Sequence, residues 1–231
     1  MSVGARDAAP RQRRDARRNR ELLLEAAHEV FTEQGLDAPL DVIARRAGVG
    51  NATLYRHFPA RADLVDAVFR DSLTGTMEAG ELARNAPDAW AGLAGYLDVV
   101  FAALAADRGS NDLMTTRLRG VDSLEAVHEH NRATVEALLV RCRDEGAVRA
   151  DVTTEDVLFG LAALGRAVPA LTAAAAPDAW RRPLALFLAG LRATPTAPPL
   201  PAPALTTTEL ADVLSELGPH RPRTGGRDAG A

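Results

Sequence analysis

The stretch Gly48-Val49-Gly50-Asn51-Ala52-Thr53-Leu54-Tyr55-Arg56-His57-Phe58 decides how this chain is read. It is a glycine-bearing turn followed by a short helix that presents Thr53, Tyr55, Arg56 and His57 together. Just before it, Leu40, Ile43, Ala44 and Ala47 recur at i, i+3, i+4 and i+7, which predicts another short helix with one apolar face. Two short helices joined by a turn, the second polar and basic, suit a DNA major groove. Leu54 and Phe58 are expected to point inward. Upstream, a helix from about Arg18 sets Leu23, Ala27, Val30 and Phe31 on one face and Glu21, Glu25, Glu29 and Glu33 on another. Gly35 is its natural stop. Downstream, Pro59 breaks the chain and a fourth helix starts near Arg61, burying Leu64, Val65 and Val68.

The charge distribution agrees with this reading, although the total does not. The 231 residues carry a net charge of -4, which alone argues against a nucleic-acid binder. Residues 1–20, however, hold seven arginines against two aspartates, and residues 1–70 are +2 while the remainder is -6. Phosphate attraction is local, so the basic end matters more than the sum. All 27 basic residues are Arg, a bias that makes arginine identity at single positions uninformative. Residues 1–17 lack apolar periodicity and are expected to form a disordered basic arm.

Beyond residue 80 the pattern is again helical, so the fold class expected is all-α. Residues 18–66 form a three-helix head, and residues 67–193 a helical bundle. Residues 194–231 follow as a Pro-rich linker, a short helix and a flexible tail. Pro87-Asp88 opens a helix with Trp90, Leu93, Leu97, Phe101 and Leu104 on one side. Asp122 with Glu125, Thr153 with Asp156 and Thr206 with Glu209 have the spacing of capping boxes. Val157 to Ala176 has Arg166 as its only charge and is apolar almost all round, which implies burial against a second subunit. Trp180, Leu184, Phe187 and Leu191 make a further stripe; Pro169 and Pro183 are expected to kink or end these helices. Thr194 to Pro203 reads as a stiff extended linker.

With these residues in place, the chain resembles the TetR family of bacterial transcriptional regulators, in the manner of its actinobacterial members. The resemblance lies in Val30-Phe31-Thr32-Glu33-Gln34-Gly35, Ile43-Ala44-Arg45-Arg46-Ala47-Gly48-Val49, Thr53-Leu54-Tyr55-Arg56-His57-Phe58-Pro59 and Asp63-Leu64-Val65. It covers roughly the first third; the rest matches in architecture, with a weaker likeness at Gly146 to Val152. The resemblance implies a helix-turn-helix head on a dimerising, small-molecule-binding bundle, and phosphate contacts from Tyr55 and His57. Two positions depart from the family pattern: Gly50 stands where many relatives carry Ser, and Arg61 where relatives carry Lys.

In a groove-docked helix the N-terminal residues meet base edges and later ones grip the backbone. Asn51, Ala52 and Thr53 are therefore the base-reading candidates, Arg56 serves either role, and Arg45 and Arg61 are backbone candidates. Trp90, Phe101, Met114 and Phe159 are candidates for lining a ligand cavity, with Arg117 or Arg119 facing an anionic effector. His128-Glu129-His130 with Glu125 lacks the geometry of a metal site, and solvated helix residues are the simpler reading. Cys142 reads as a small buried hydrophobe. No phosphate loop, nucleophile elbow or His-Glu-x-x-His motif points to an enzyme, and no cofactor is expected. No apolar run of roughly 20 residues lacks a charge or proline, so no membrane span is expected. A soluble cytoplasmic homodimer is expected, probed by operator DNA on one side and an unknown small molecule on the other. The rival reading is a helical ligand-binding or protein-interaction module without strong DNA binding.

Overall fold

A computed structural model describes residues 8–106, 108–115 and 121–217. Among these residues the chain is all-helical: α1 (Ala8–Gln34), α2 (Leu40–Arg46), α3 (Asn51–His57), α4 (Arg61–Arg84), α5 (Ala89–Ala106), α6 (Arg108–Thr115), α7 (Asp122–Asp144), α8 (Thr154–Ala174), α9 (Arg181–Leu191) and α10 (Thr207–Leu217). Residues 1–7, Arg117, Arg119 and the tail from His220 lie outside the described residues.

The head is α1 to α3 with the first turns of α4. Leu23, Ala27, Val30, Phe31, Ile43, Leu54, Phe58, Leu64 and Phe69 are all buried there. Phe31 stacks on Phe69 with centroids 6.1 Å apart. Helix α1 begins at Ala8, well ahead of the start expected near Arg18, so part of the supposed disordered arm is helical. Ala, Arg and Gln are strong helix formers, and Arg17 pairs with Glu21 one turn on at 3.0 Å. The boundary expected after residue 66 falls inside α4, which runs unbroken from the head into the bundle.

In the bundle α5 is central, packed against α4, α6, α7, α8 and α9. Tyr96, Leu97, Val100, Phe101 and Leu104 are buried on it, and Phe101 stacks on Trp180 at 6.1 Å. By length and composition α5 and α8 could each cross a bilayer. The packing of α5 on five neighbours, and the charge Arg166 and Pro169 within α8, fit core helices better. Cys142 is fully buried, and burial together with Glu145 pushes its thiol up to about 11, as befits a small hydrophobe.

Three expectations are corrected. Helix α6 was not foreseen, because its sequence Arg108–Thr115 is polar, yet it is buried from Gly109 onward. Asp122 is the first residue of α7 rather than its cap; Val121 occupies the cap position. Of the two outcomes expected for Pro169, a kink or an end, the end is excluded, since α8 continues to Ala174. A proline in a helix removes the N–H that its own i-4 carbonyl needs. That carbonyl, Gly165 O, instead accepts from the buried Asn111 Nδ2 at 2.7 Å. The Thr153/Asp156 and Thr206/Glu209 boxes form as expected.

Asn111 thus replaces a hydrogen bond that Pro169 forfeits. Asn111→Ala is expected to lower stability by about 1–3 kcal/mol, the cost of a buried carbonyl left unsatisfied. In a Pro169→Ala background, where residue 169 can donate to Gly165 again, the same substitution should cost less. Chemical denaturation of the four proteins checks this, and additive effects would contradict it.

Candidate nucleic-acid interface and ligand cavity

The turn between α2 and α3 is set by the end of α2. Gly48 adopts φ 68°, a left-handed conformation suited to glycine. Its N–H donates to Arg45 O (3.2 Å), and the Val49 N–H donates to Ala44 O (3.0 Å). This pair of bonds satisfies carbonyls that the helix end leaves open. Gly50 then caps α3 in an extended conformation without a side chain, and its carbonyl accepts from Thr53 and Leu54. Leu54 and Phe58 are buried, which turns the opposite side of α3 outward.

On that side Asn51, Ala52, Tyr55 and Arg56 are exposed and Thr53 is half-buried. Tyr55 is 53% exposed, a large aromatic held open by its helix position. Arg45 also faces solvent and pairs with Asp41 one turn back at 2.9 Å. Its neighbour Arg46 is engaged inward, holding both Glu33 oxygens at 2.9 Å and fastening α2 to α1. His57 is half-buried, and its Nε2 is enclosed with no hydrogen-bond partner. Burial first, then the charges of Arg56 and Arg20, lower its pKa from 6.5, so the free protein carries it neutral at pH 7.

Arg61 departs from its expected place at the DNA backbone. Its Nη1 donates to Leu36 O (2.6 Å) and Ala38 O (2.7 Å), so the side chain is folded back on the α1–α2 turn. One guanidinium nitrogen, with two N–H groups, thus satisfies two carbonyls of that turn at once. From the other side the Leu36 N–H donates to Asp112 Oδ2 at 3.0 Å. Asp112, on α6, is completely buried and lies 3.6 Å from the Arg166 guanidinium of α8. The turn that carries α2 is therefore clamped between α4 and α6, and α6 is tied to α8.

A cavity of 670 Å³ opens between α7, α8 and α10. Of the expected lining residues that are described, only Met114 is found there. Phe101 is consumed by its stack on Trp180, Trp90 lies under the Arg192 guanidinium at 4.5 Å, and Phe159 faces outward, 41% exposed. Sequence reading treated α10 as a separate appendage, so it missed Leu210 and Leu214 as walls. The available signal was the run Glu125, His128, Glu129 and Arg132 at i, i+3, i+4 and i+7, one polar stripe of α7 along the cavity. His128, half-buried, and Glu129, exposed, thus both border the cavity. Among the described residues no three His, Cys, Asp or Glu side chains are grouped as metal ligands.

Helix α10 is fastened by polar contacts. Arg132 Nη2 meets Glu155 Oε1 at 2.6 Å and Thr207 Oγ1 at 3.0 Å, and Thr207 itself donates to Glu155. Burial raises the Glu155 carboxyl, but the bonds from Arg132 and Thr207 outweigh it and leave the pKa below the ordinary value. The preceding strap is held where Arg149 donates to Pro198 O (2.6 Å) and Asp151 accepts from the Leu200 N–H (2.9 Å).

Comparison with known proteins follows the same division. Residues 23–68 match the family model for bacterial regulatory proteins of the tetR family. Residues 88–193 match the model for the C-terminal domain of SbtR-like transcriptional regulators. Over 62 residues the chain is 40% identical to an HTH-type transcriptional regulator of Staphylococcus aureus strain USA300, covering 26% of this chain and 34% of that protein. The chain therefore spans about a third of the length of the curated relatives it matches. A TetR transcriptional regulator from Streptomyces coelicolor with a known crystal structure is 30% identical, the match covering 77% of this chain and 99% of that one at TM-score 0.48. A TetR-family regulator from Agrobacterium tumefaciens shares the fold at 17% identity and TM-score 0.58, covering 77% of this chain and 100% of that one. With one model matching the head and another the bundle, in order along a single chain, the protein belongs to the TetR family of bacterial transcriptional regulators.

Proposed function

We propose that the chain is a homodimeric, operator-binding repressor that a small molecule releases from DNA in the cytoplasm. The observation that carries this is α3 itself: Leu54 and Phe58 anchor it while Asn51, Ala52, Tyr55 and Arg56 stand exposed on its far side. Asn51, Ala52 and Thr53, at its N-terminal end, take the base edges. Tyr55, Arg56, His57 and Arg45 take phosphates. Arg61 is withdrawn from that set and acts as a positioning residue for the α1–α2 turn. The α1 extension carries Arg13, Arg14, Arg17 and Arg18 toward flanking backbone as a helix rather than a loose arm.

Dimerisation is supported by the outer side of α8. Phe159, Ala163, Ala167 and Ala170 are exposed at spacings of four, four and three residues, and Leu186 on α9 is 66% exposed. A contiguous apolar face of small residues on a soluble chain favours a like partner. Two-fold symmetry then sets two copies of α3 into successive major grooves of a palindromic site. A ligand releases the DNA by favouring a spacing of the heads that no longer fits, which requires different ligand affinity in the two states. The Leu36–Asp112–Arg166 chain supplies a direct link from bundle to head.

Three measurements test this reading. In a gel shift with DNA from upstream of its own gene, Tyr55→Ala should weaken binding by about 1.5–3 kcal/mol, the worth of a hydrogen bond to a charged acceptor. Undiminished affinity would remove Tyr55 from the interface. His57 supplies a pH test: a phosphate beside it raises the pKa that burial, Arg56 and Arg20 lower in the free protein. Affinity should therefore rise as pH falls from 7 through the bound-state pKa and level off below the free-state one, and His57→Gln should flatten the profile. Ala163→Glu, at an exposed position, should give folded monomers in sedimentation experiments; a variant still dimeric at low concentration contradicts the interface.

A further inference from the structure

The cavity beneath α10 is apolar for most of its wall, made by Met114, Leu158, Leu161, Leu210 and Leu214. Its 670 Å³ lies within the range of about 300–1,000 Å³ that drug-sized molecules occupy. Its charges are not equally available. Arg132 is already committed to Glu155 and Thr207. Glu125 and Glu129, one turn apart on α7, are exposed at the mouth, and their carboxylates have no ion pair or hydrogen bond with any described residue. An acceptor-only pair at the edge of an apolar cavity attracts a cation and repels an anion.

A second observation comes from inside. Asn131 is 5% exposed and lines the cavity. Its Oδ1 accepts from Tyr96 Oη at 2.5 Å, while its Nδ2 donates to no described residue. The Nδ2 is not sealed off, so it is a donor on a largely buried residue that an occupant of the cavity can reach. The occupant that answers every feature has an apolar body, a positive group at the mouth and a hydrogen-bond acceptor along its length.

We infer that this cavity binds a lipophilic organic cation bearing a carbonyl or ether oxygen, and that α10 is a built wall of the site. The ammonium or similar group sits between Glu125 and Glu129, the oxygen accepts from Asn131 Nδ2, and the chain lies among Met114, Leu158, Leu161 and Leu214. Arg117 and Arg119, which were expected to face an anionic effector, lie outside the described residues; among the described residues an anion at this wall meets two unpaired carboxylates and no uncommitted arginine. This assignment rests on the reading of the bundle as the ligand-sensing part of a regulator.

Isothermal titration calorimetry on the full chain tests it with decanoylcholine, an ester with a fixed positive charge, against decanoate, which has the same chain and a negative charge. Decanoylcholine should bind at least about tenfold more tightly. The double variant Glu125→Gln/Glu129→Gln, at exposed positions that leave the core intact, should lose that preference. Leu214→Trp, which fills the cavity from α10, should abolish binding of decanoylcholine. Equal affinity for the two probes, a preference unchanged in the double variant, or unaltered binding to Leu214→Trp overturns the assignment. Calorimetry involves no DNA, so the two failures are distinguishable: a failed gel shift removes the regulatory role of the cavity while leaving its ligand preference to be read directly, and failed calorimetry leaves DNA binding standing.

Discussion

A single buried carboxylate holds the two parts of this protein in register. Asp112 is fully enclosed, and an enclosed charge is tolerated only with compensating partners. It has the Leu36 N–H of the head at 3.0 Å and the Arg166 guanidinium of α8 at 3.6 Å. Both partners are fixed in turn, Leu36 by the Arg61 guanidinium on its carbonyl and Arg166 by its place on α8. The α1–α2 turn therefore cannot shift without disturbing α6, nor α6 without α8. Met114, two residues beyond Asp112 on the same helix, forms part of the cavity wall. The shortest physical path from cavity to DNA-reading head is one short helix.

Helix α8 brings several demands together. One side sends Arg166 to Asp112, another leaves the Gly165 carbonyl to Asn111, a third supplies Leu158 and Leu161 to the cavity, and the fourth exposes Phe159 and Ala163. Gly160 lets α9 approach closely: a Cβ there would lie 2.4 Å from the Phe187 ring. A helix with work on every side reads as uniformly apolar because the few polar obligations are met by backbone groups. Pro169 belongs to the same logic, since the carbonyl it frees is what Asn111 of α6 grasps.

The C-terminal segment is fastened differently, by carboxylates near the surface. Glu155 joins α10 to α8, Asp151 holds the strap, and Glu209 closes the start of α10 on Thr206. All three are held below their ordinary pKa values: Asp151 chiefly by Arg149, Glu209 by Thr206, and Glu155 by Arg132 and Thr207 against the opposing effect of burial. Depressed carboxylates stabilise the folded form above their unfolded pKa, and that contribution fades as pH drops through the folded values. The wall of the cavity is thus secured at neutral pH by contacts that weaken as these carboxylates take up protons.

The head was legible in the sequence because its determinants are local. Gly48 must be glycine-like for the left-handed turn, Leu54 and Phe58 recur at helical spacing, and these alone orient α3. Periodicity also gave the long helices, and fixed spacing gave the caps at Thr153 and Thr206. What the sequence could not supply depends on neighbours distant along the chain. Helix α6 looks polar because its polar groups are satisfied by residues far away, Gly165 and Leu36 among them. Arg61 looks like a phosphate ligand until the α1–α2 turn folds beside it, and Phe101 looks like a cavity wall until Trp180 covers it. Local patterns determine which residues form helices and which face is apolar; only tertiary packing decides which donors and acceptors are already spent, and so which remain for DNA or ligand.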